Sequence, residues 1–232
     1  MSCHFRCSLG HTRTACQPRR GLCQHRTVSP QPRRYQGRTA IERTAERRER
    51  LFEAALALFG RPGGEGTTMT AICAEAQLTE RYFYESFSSR DDLLTQLVQR
   101  IADEIRRAVL AALEAPAGTP NDRARAAIAA FVQVLTSDPR KGRATIIESA
   151  GAEPLRTHRR TLLREFAQLT VEGSHELYGD RALPSPHDQL TALMFVGGLA
   201  ELITAWLGGE IDATPEHIVD AATAQFTSTA HR

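Results

Sequence analysis

The sequence predicts an all-α fold, a cluster of short helices ahead of a larger helical body. Three observations carry this. No segment alternates apolar and polar residues with period two over a useful length, so strands are not required. Aromatics make up only 6% of a 232-residue chain rich in Ala and Leu, a balance that favours helix over sheet. From Arg47 onward apolar residues recur at three- and four-residue spacing. Runs such as Ala115-Pro116-Ala117-Gly118-Thr119-Pro120 cut that pattern into helix-length pieces.

Residues 1–37 show neither periodicity and are rich in Arg, Pro, Ser and Cys, which predicts a disordered extension. Cys3, Cys7, Cys16 and Cys23 lie here among His4, His11 and His25, but no short cysteine pair is answered by a second at a finger-like interval. No metal site is therefore expected. No apolar stretch follows Met1, so a signal peptide is not expected either. The net charge of +2 conceals an asymmetry: eight of the 29 Lys and Arg residues fall in residues 1–40, where there is no acid. The remainder holds 21 bases against 27 acids, a net of −6. A case for nucleic-acid binding must rest on local charge.

Arg47 to Phe59 forms the first amphipathic helix, with Leu51, Ala54, Ala55, Leu58 and Phe59 on its apolar stripe. The approach to it is basic. Arg38 and Arg43 are candidate arm contacts to a minor groove or to phosphates. For Arg47, Arg48 and Arg50 the acids Glu42, Glu46, Glu49 and Glu53 offer ordinary partners on the same helix. The loop Gly60-Arg61-Pro62-Gly63-Gly64-Glu65-Gly66 lacks the Lys-Ser/Thr of a phosphate loop and reads as a turn. Thr68 caps a second helix whose Met69, Ile72, Cys73 and Ala76 share a buried face. Gln77 and Leu78 make a tight turn, and Thr79 caps a third helix with Phe83 and Phe87 inward. That leaves Glu80, Arg81, Tyr82 and Tyr84 on its exposed N-terminal end, where a recognition helix meets base edges. Ser88 or Ser89 caps the next helix, since an acid follows three residues after either.

In the ordered run Thr68-Met69-Thr70-Ala71-Ile72, then Leu78-Thr79-Glu80-Arg81-Tyr82-Phe83-Tyr84-Glu85-Ser86-Phe87, with Arg90 before Leu93-Leu94, residues 43–94 resemble the DNA-binding domain of the TetR family of bacterial transcriptional regulators. Gln77 stands where that family usually has a turn glycine, and Tyr82 where a small residue is common. The resemblance implies a helix-turn-helix domain at 38–90 and a helical ligand-binding and dimerisation domain at 91–232. It further implies a cytoplasmic homodimer on double-stranded operator DNA, a repressor released by an unknown small-molecule effector, with no cofactor. The DNA-binding candidates are Arg38, Arg43, Thr68, Thr70, Thr79, Glu80, Arg81, Tyr82, Tyr84 and Arg90, with Tyr84 and Arg90 assigned by the resemblance to phosphates.

Beyond Leu94 the expected helices are 91–114, 120–136, 139–150, 154–177, 186–207 and 215–227. A pocket is expected among those between 91 and 177, with Phe131, Ile147, Phe166 and Leu169 as candidate lining. Leu190 to Leu207 is nearly apolar enough to span a membrane, but Glu201 and the Gly197-Gly198 pair favour a subunit interface and no membrane. The interface candidates are Phe195, Gly197, Gly198, Leu202, Trp206, Ile218 and Phe226. No zinc-protease pair, nucleophile elbow or dinucleotide fingerprint is present, and His158, His175, His187 and His217 each sit among polar neighbours. No catalytic residue is expected. An all-helical enzyme or a constitutive DNA-organising protein stays open as the alternative.

Overall fold

Nine α-helices appear among the residues described by the computed structural model: 39–114, 118–150 and 153–231, the side chains of 146–150 excepted. Arg38 and the four N-terminal cysteines lie outside them, as does the Ile147 side chain. No strand occurs among the described residues, only an isolated bridge pairing Ala182 with His231. Residues from Ile41 onward form one compact unit.

Helix α1 (Ala40–Phe59) buries Leu51, Phe52, Ala54, Ala55, Leu56 and Phe59, the stripe its sequence period demands. It is followed by Gly60, where only glycine fits: a Cβ would lie 2.4 Å from that of Arg140. Helix α2 (Met69–Glu75) starts at Thr68, whose hydroxyl oxygen accepts a hydrogen bond from the Ala71 amide at 3.2 Å. Helix α3 (Glu80–Tyr84) is short, and Thr79 holds its cap position without a side-chain cap bond, contrary to the capping expected of it. The Thr79 carbonyl instead accepts from the Tyr82 amide at 3.0 Å.

Helix α4 (Arg90–Glu114) is capped by Ser89, whose hydroxyl accepts from the Asp92 amide while the Asp92 carboxylate accepts from the Ser88 amide. Helices α5 (Pro120–Ser137) and α9 (Pro215–Thr229) both begin with a reciprocal capping box, Thr119 with Asp122 and Thr214 with His217, and proline in the first turn. Between them lie α6 (Pro139–Ala150), α7 (Glu153–Tyr178) and α8 (His187–Leu207). The bounds of α4 to α9 fall within two residues of those expected, whereas α1 begins at Ala40, seven residues before the expected Arg47, so Arg43 sits within the helix and not on an arm ahead of it.

Helices α1 to α3 and the start of α4 close over a knot of aromatic rings. Phe52 meets Phe87 edge-on at 5.1 Å, Phe87 lies 5.6 Å from Phe83, and Phe83, Leu93 and Leu94 are fully buried. In the body α4 packs on α5, α5 on α9 and α7 on α8. Helix α8 is long and apolar enough to cross a membrane, yet one side of it is core: Ala192, Phe195, Leu199 and Ile203 point inward. Its other side leaves Leu190, Leu193 and Met194 exposed.

The helical phase of α8 divides the expected interface set. Phe195, Ile218 and Phe226 are buried within their own chain, Phe195 and Phe226 with ring centroids 5.3 Å apart, so in the monomer they serve as core. Trp206 is half-buried and donates its indole N–H to its own Ala213 carbonyl at 2.7 Å, and Leu202 packs partly against the same core. Only Gly197 and Gly198 border the outer face, with nothing within 4 Å of where a Cβ would sit. In a helix apolar on all sides, composition does not say which third of the circumference packs inward.

Candidate nucleic-acid interface and interior cavity

The turn between α2 and α3 sets where α3 points. Gln77 adopts φ 53, the left-handed conformation that a side chain disfavours and glycine accepts. Around it the Leu78 amide donates to the Cys73 carbonyl at 2.9 Å and the Gln77 amide to the Ala74 carbonyl at 3.0 Å, the double bond of a Schellman cap. Leu78 then packs on the core. The carbonyls of Ala76 and Gln77 follow, and Arg50 answers both: its guanidinium donates to their oxygens. A cation at a helix C-terminus also opposes the helix dipole. The geometry a glycine would adopt freely is here held by an arginine on α1.

Two further arginines tie the head together. Arg48 donates to the Ser86 carbonyl at 2.8 Å and to Gln96, and lies over the Phe87 and Phe52 rings at 4.5 and 5.1 Å. Arg90 donates to the Thr67 and Glu65 carbonyls, both at 2.9 Å, pairs with Asp91, and covers the Phe59 ring at 5.0 Å. Its guanidinium is thus engaged by the α1–α2 loop, and its first effect is to hold that loop. None of these contacts has a local sequence signal, since the partners lie 23 to 38 residues away in every bond but that to Gln96 and the neighbouring Asp91.

The exposed edge of the head carries Thr68, Thr70, Thr79, Glu80, Arg81 and Tyr84. Thr70 donates to the Glu80 carboxylate at 3.2 Å. The Arg81 side chain is 84% exposed, 3.4 Å from Glu85 one turn on. An exposed pair of this kind contributes about 0 to 1 kcal/mol, so it holds Arg81 only weakly. Tyr84 is 59% exposed, while Tyr82 is half-buried with the Arg47 guanidinium 4.4 Å over its ring. Tyr82 is therefore held in orientation by α1. Arg43 is half-buried in α1. Burial pushes the Cys73 thiol up, and Glu80 adds to this, so the thiol stays protonated and acts as a small apolar side chain.

The body holds a partly open cavity of about 180 Å³. Phe131, Phe166 and Leu169 line it as expected, with the first two rings edge-on at 6.3 Å. Its walls extend past residue 177, because α8 contributes Phe195, Leu199 and Ile203 and α9 contributes Phe226. Helix α4 supplies Val98, Ile101, Ala102 and Ile105. Three lining hydroxyls donate to their own helices: Thr145 to Gly142, Thr170 to Phe166 and Thr204 to Ala200, each at 2.7 to 2.9 Å.

Comparison with known proteins bears on both parts. Residues 51–97 match the family model for bacterial regulatory proteins, tetR family. The chain is 27% identical over 120 residues to the HTH-type transcriptional regulator HbdR of Aromatoleum sp. (strain CIB). That alignment spans 52% of this chain and 51% of HbdR, so the chain matches about half the length of this curated relative. Among solved structures it superposes with a TM-score of 0.67 on a TetR-family regulator of Syntrophomonas wolfei, at 14% identity over 79% of this chain and 94% of that one. A transcriptional regulator of Pseudomonas aeruginosa PAO1 gives 0.64 at 20% identity, over 79% and 90%. The fatty acid degradation regulator FadR of Bacillus halodurans gives 0.63 at 19%, over 80% and 97%. At these identities the structures speak to the fold.

Proposed function

By its reading domain the chain belongs to the tetR family of bacterial regulatory proteins, and on that premise we propose that it is a homodimeric repressor that a small molecule releases from operator DNA. The observation that carries this reading is the course of α4. Its first turn, Leu93 and Leu94, is part of the core of the reading head, and its next turns, from Val98 to Leu113, form a wall of the cavity. One rigid helix therefore belongs to both. A ligand that fits the cavity in one setting of α4 and not in the other shifts the two-state balance by its differential affinity.

The exposed α8 stripe of Leu190, Leu193 and Met194 beside Gly197 and Gly198 supports a dimer, since apolar surface of that continuity is stabilised by cover and the glycines admit a close helix. Two copies related by a two-fold axis present two α3 helices to major grooves about 34 Å apart. Arg81 and Tyr84 then meet DNA directly, and Arg50, Arg48 and Arg90 act behind them as positioning residues. The cavity wall, apolar but for threonines and one arginine among the described residues, favours binding over catalysis. The test is a titration of the full-length dimer on DNA flanking its own gene, with cell-extract small molecules added. Expected is tight binding that one class of compound loosens. Binding indifferent to every ligand that enters the cavity contradicts the regulatory part of the reading.

A further inference from the structure

Resting on the effector reading, we infer that Arg159 is the selector of the cavity and that its ligand is an amphipathic anion, an apolar body of about a dozen non-hydrogen atoms ending in a carboxylate. The size follows from the cavity's roughly 180 Å³, at about 10–15 Å³ for each water-sized occupant. The charge follows from the wall. Arg159 is the one charged residue among the described lining, and it is half-buried. Among the described residues it has no hydrogen-bond or ion-pair partner. Nearby acids are already occupied: Glu153 accepts from Arg156 and Arg160, and Glu165 accepts from Arg106. The lining threonines commit their hydroxyl hydrogens to backbone carbonyls, which leaves Arg159 as the donor group facing the cavity with hydrogens to give. A half-buried guanidinium on an apolar wall keeps its donors free, and a planar carboxylate can accept two parallel hydrogen bonds from it.

The position of Arg159 adds a direction. Helices α4 and α7 run parallel, since Gln99 meets His158 at 3.0 Å, Arg106 meets Glu165 at 2.7 Å, and a Cβ on Gly173 would lie 3.5 Å from Leu113. Arg159 thus sits at the end of the cavity level with the start of the α4 wall, close to where that helix leaves for the reading head, and Leu113, Gly173 and Leu177 close the opposite, wholly apolar end. The head group binds near the reading domain and the apolar tail points away from it.

Calorimetric titration of the full-length protein with decanoate, decanol and decylamine tests this, the three sharing a tail and differing in charge. Wild type is expected to bind decanoate at least about tenfold tighter than decanol, about 1.4 kcal/mol, and decylamine weakest. Arg159→Gln should bring decanoate down to the decanol value while leaving decanol within about twofold of wild type, and Arg159→Lys should keep part of the preference. Arg164→Gln, an exposed site outside the lining, should behave as wild type, and a thermal melt confirms that each variant folds. Equal binding of decanoate and decanol by wild type, or a preference that survives Arg159→Gln, overturns the assignment of Arg159 and leaves the effector reading standing. Binding of none of the three overturns both.

Discussion

The reading head and the body solve packing in opposite ways. In the head three phenylalanine rings fill the space between the helices, and Arg48, Arg50 and Arg90 fasten loop and turn carbonyls to it. In the body longer helices enclose an unfilled volume and leave one side of α8 apolar and exposed. The difference teaches where specificity and response reside. A head filled by rings holds α3 in one orientation, whereas a body with a void and an uncovered face has room to pack in more than one way.

The largest expected effect lies on the uncovered face. Met194, 73% exposed, becomes a charge in Met194→Asp with no cost to the monomer core, so sedimentation at micromolar concentration should show monomers. Loss of the second half-site should weaken operator binding by about 10²-fold or more. A variant that stays dimeric places the interface elsewhere.

Core truncation sharpens the contrast next. Phe83→Ala in the filled head should cost about 3 to 5 kcal/mol in denaturant unfolding, while Phe131→Ala on the cavity wall should cost less than that range because its ring already lacks neighbours on one side. Equal costs at the two sites remove the distinction between a tight head and a slack body.

Smaller effects report on the turn. Arg50→Met strands the Ala76 and Gln77 carbonyls and should cost about 1 to 3 kcal/mol, whereas Gln77→Gly relieves the left-handed backbone and should stabilise by up to about 1 kcal/mol. A Gln77→Gly variant that melts lower than wild type shows that the side chain does something the backbone does not explain.

The smallest effect is a pH dependence at the α4 cap. Burial pushes the Asp92 carboxyl up, but hydrogen bonds from Gln96 and Ser88 and the Arg48 charge outweigh it and hold the group below the usual carboxylate range. A depressed value in the folded state means stabilisation that is present above the unfolded value, about 3.9, and lost as pH falls through the folded one. Asp92→Asn should flatten the acid limb of a melting-temperature profile, and an unchanged limb assigns it to other carboxylates.

Much of the head was legible because its determinants are local. Thr68, the Met69-Ile72-Cys73-Ala76 face, the Phe83-Phe87 pair and the Ser89 cap each act within four residues, and the structure forms each of them. Gln77 was legible as a departure, since a tight turn after α2 calls for positive φ whichever residue stands there. Arg50's part in holding it was not, because its partners lie 26 and 27 residues away. The cavity was half legible: the helical period says that Phe131, Phe166 and Leu169 face inward, but not whether opposing side chains meet. Phe195, Ile218 and Phe226 mark the limit of composition. Their helices are apolar enough for an interface, yet only packing within the chain chose which side went in.

The proposed reading of DNA sequence by α3 through Arg81 is open to direct measurement. Binding of wild type and Arg81→Ala to the operator and to a scrambled duplex, each at several salt concentrations, tests it most directly. Wild type is expected to prefer the operator, and Arg81→Ala to lose about 1 to 3 kcal/mol on the operator alone, with relaxed preference at one base pair per half-site and the salt slope retained. If Arg81→Ala binds both duplexes as wild type does, Arg81 merely pairs with Glu85 on a solvated face, and α3 does not read sequence through it.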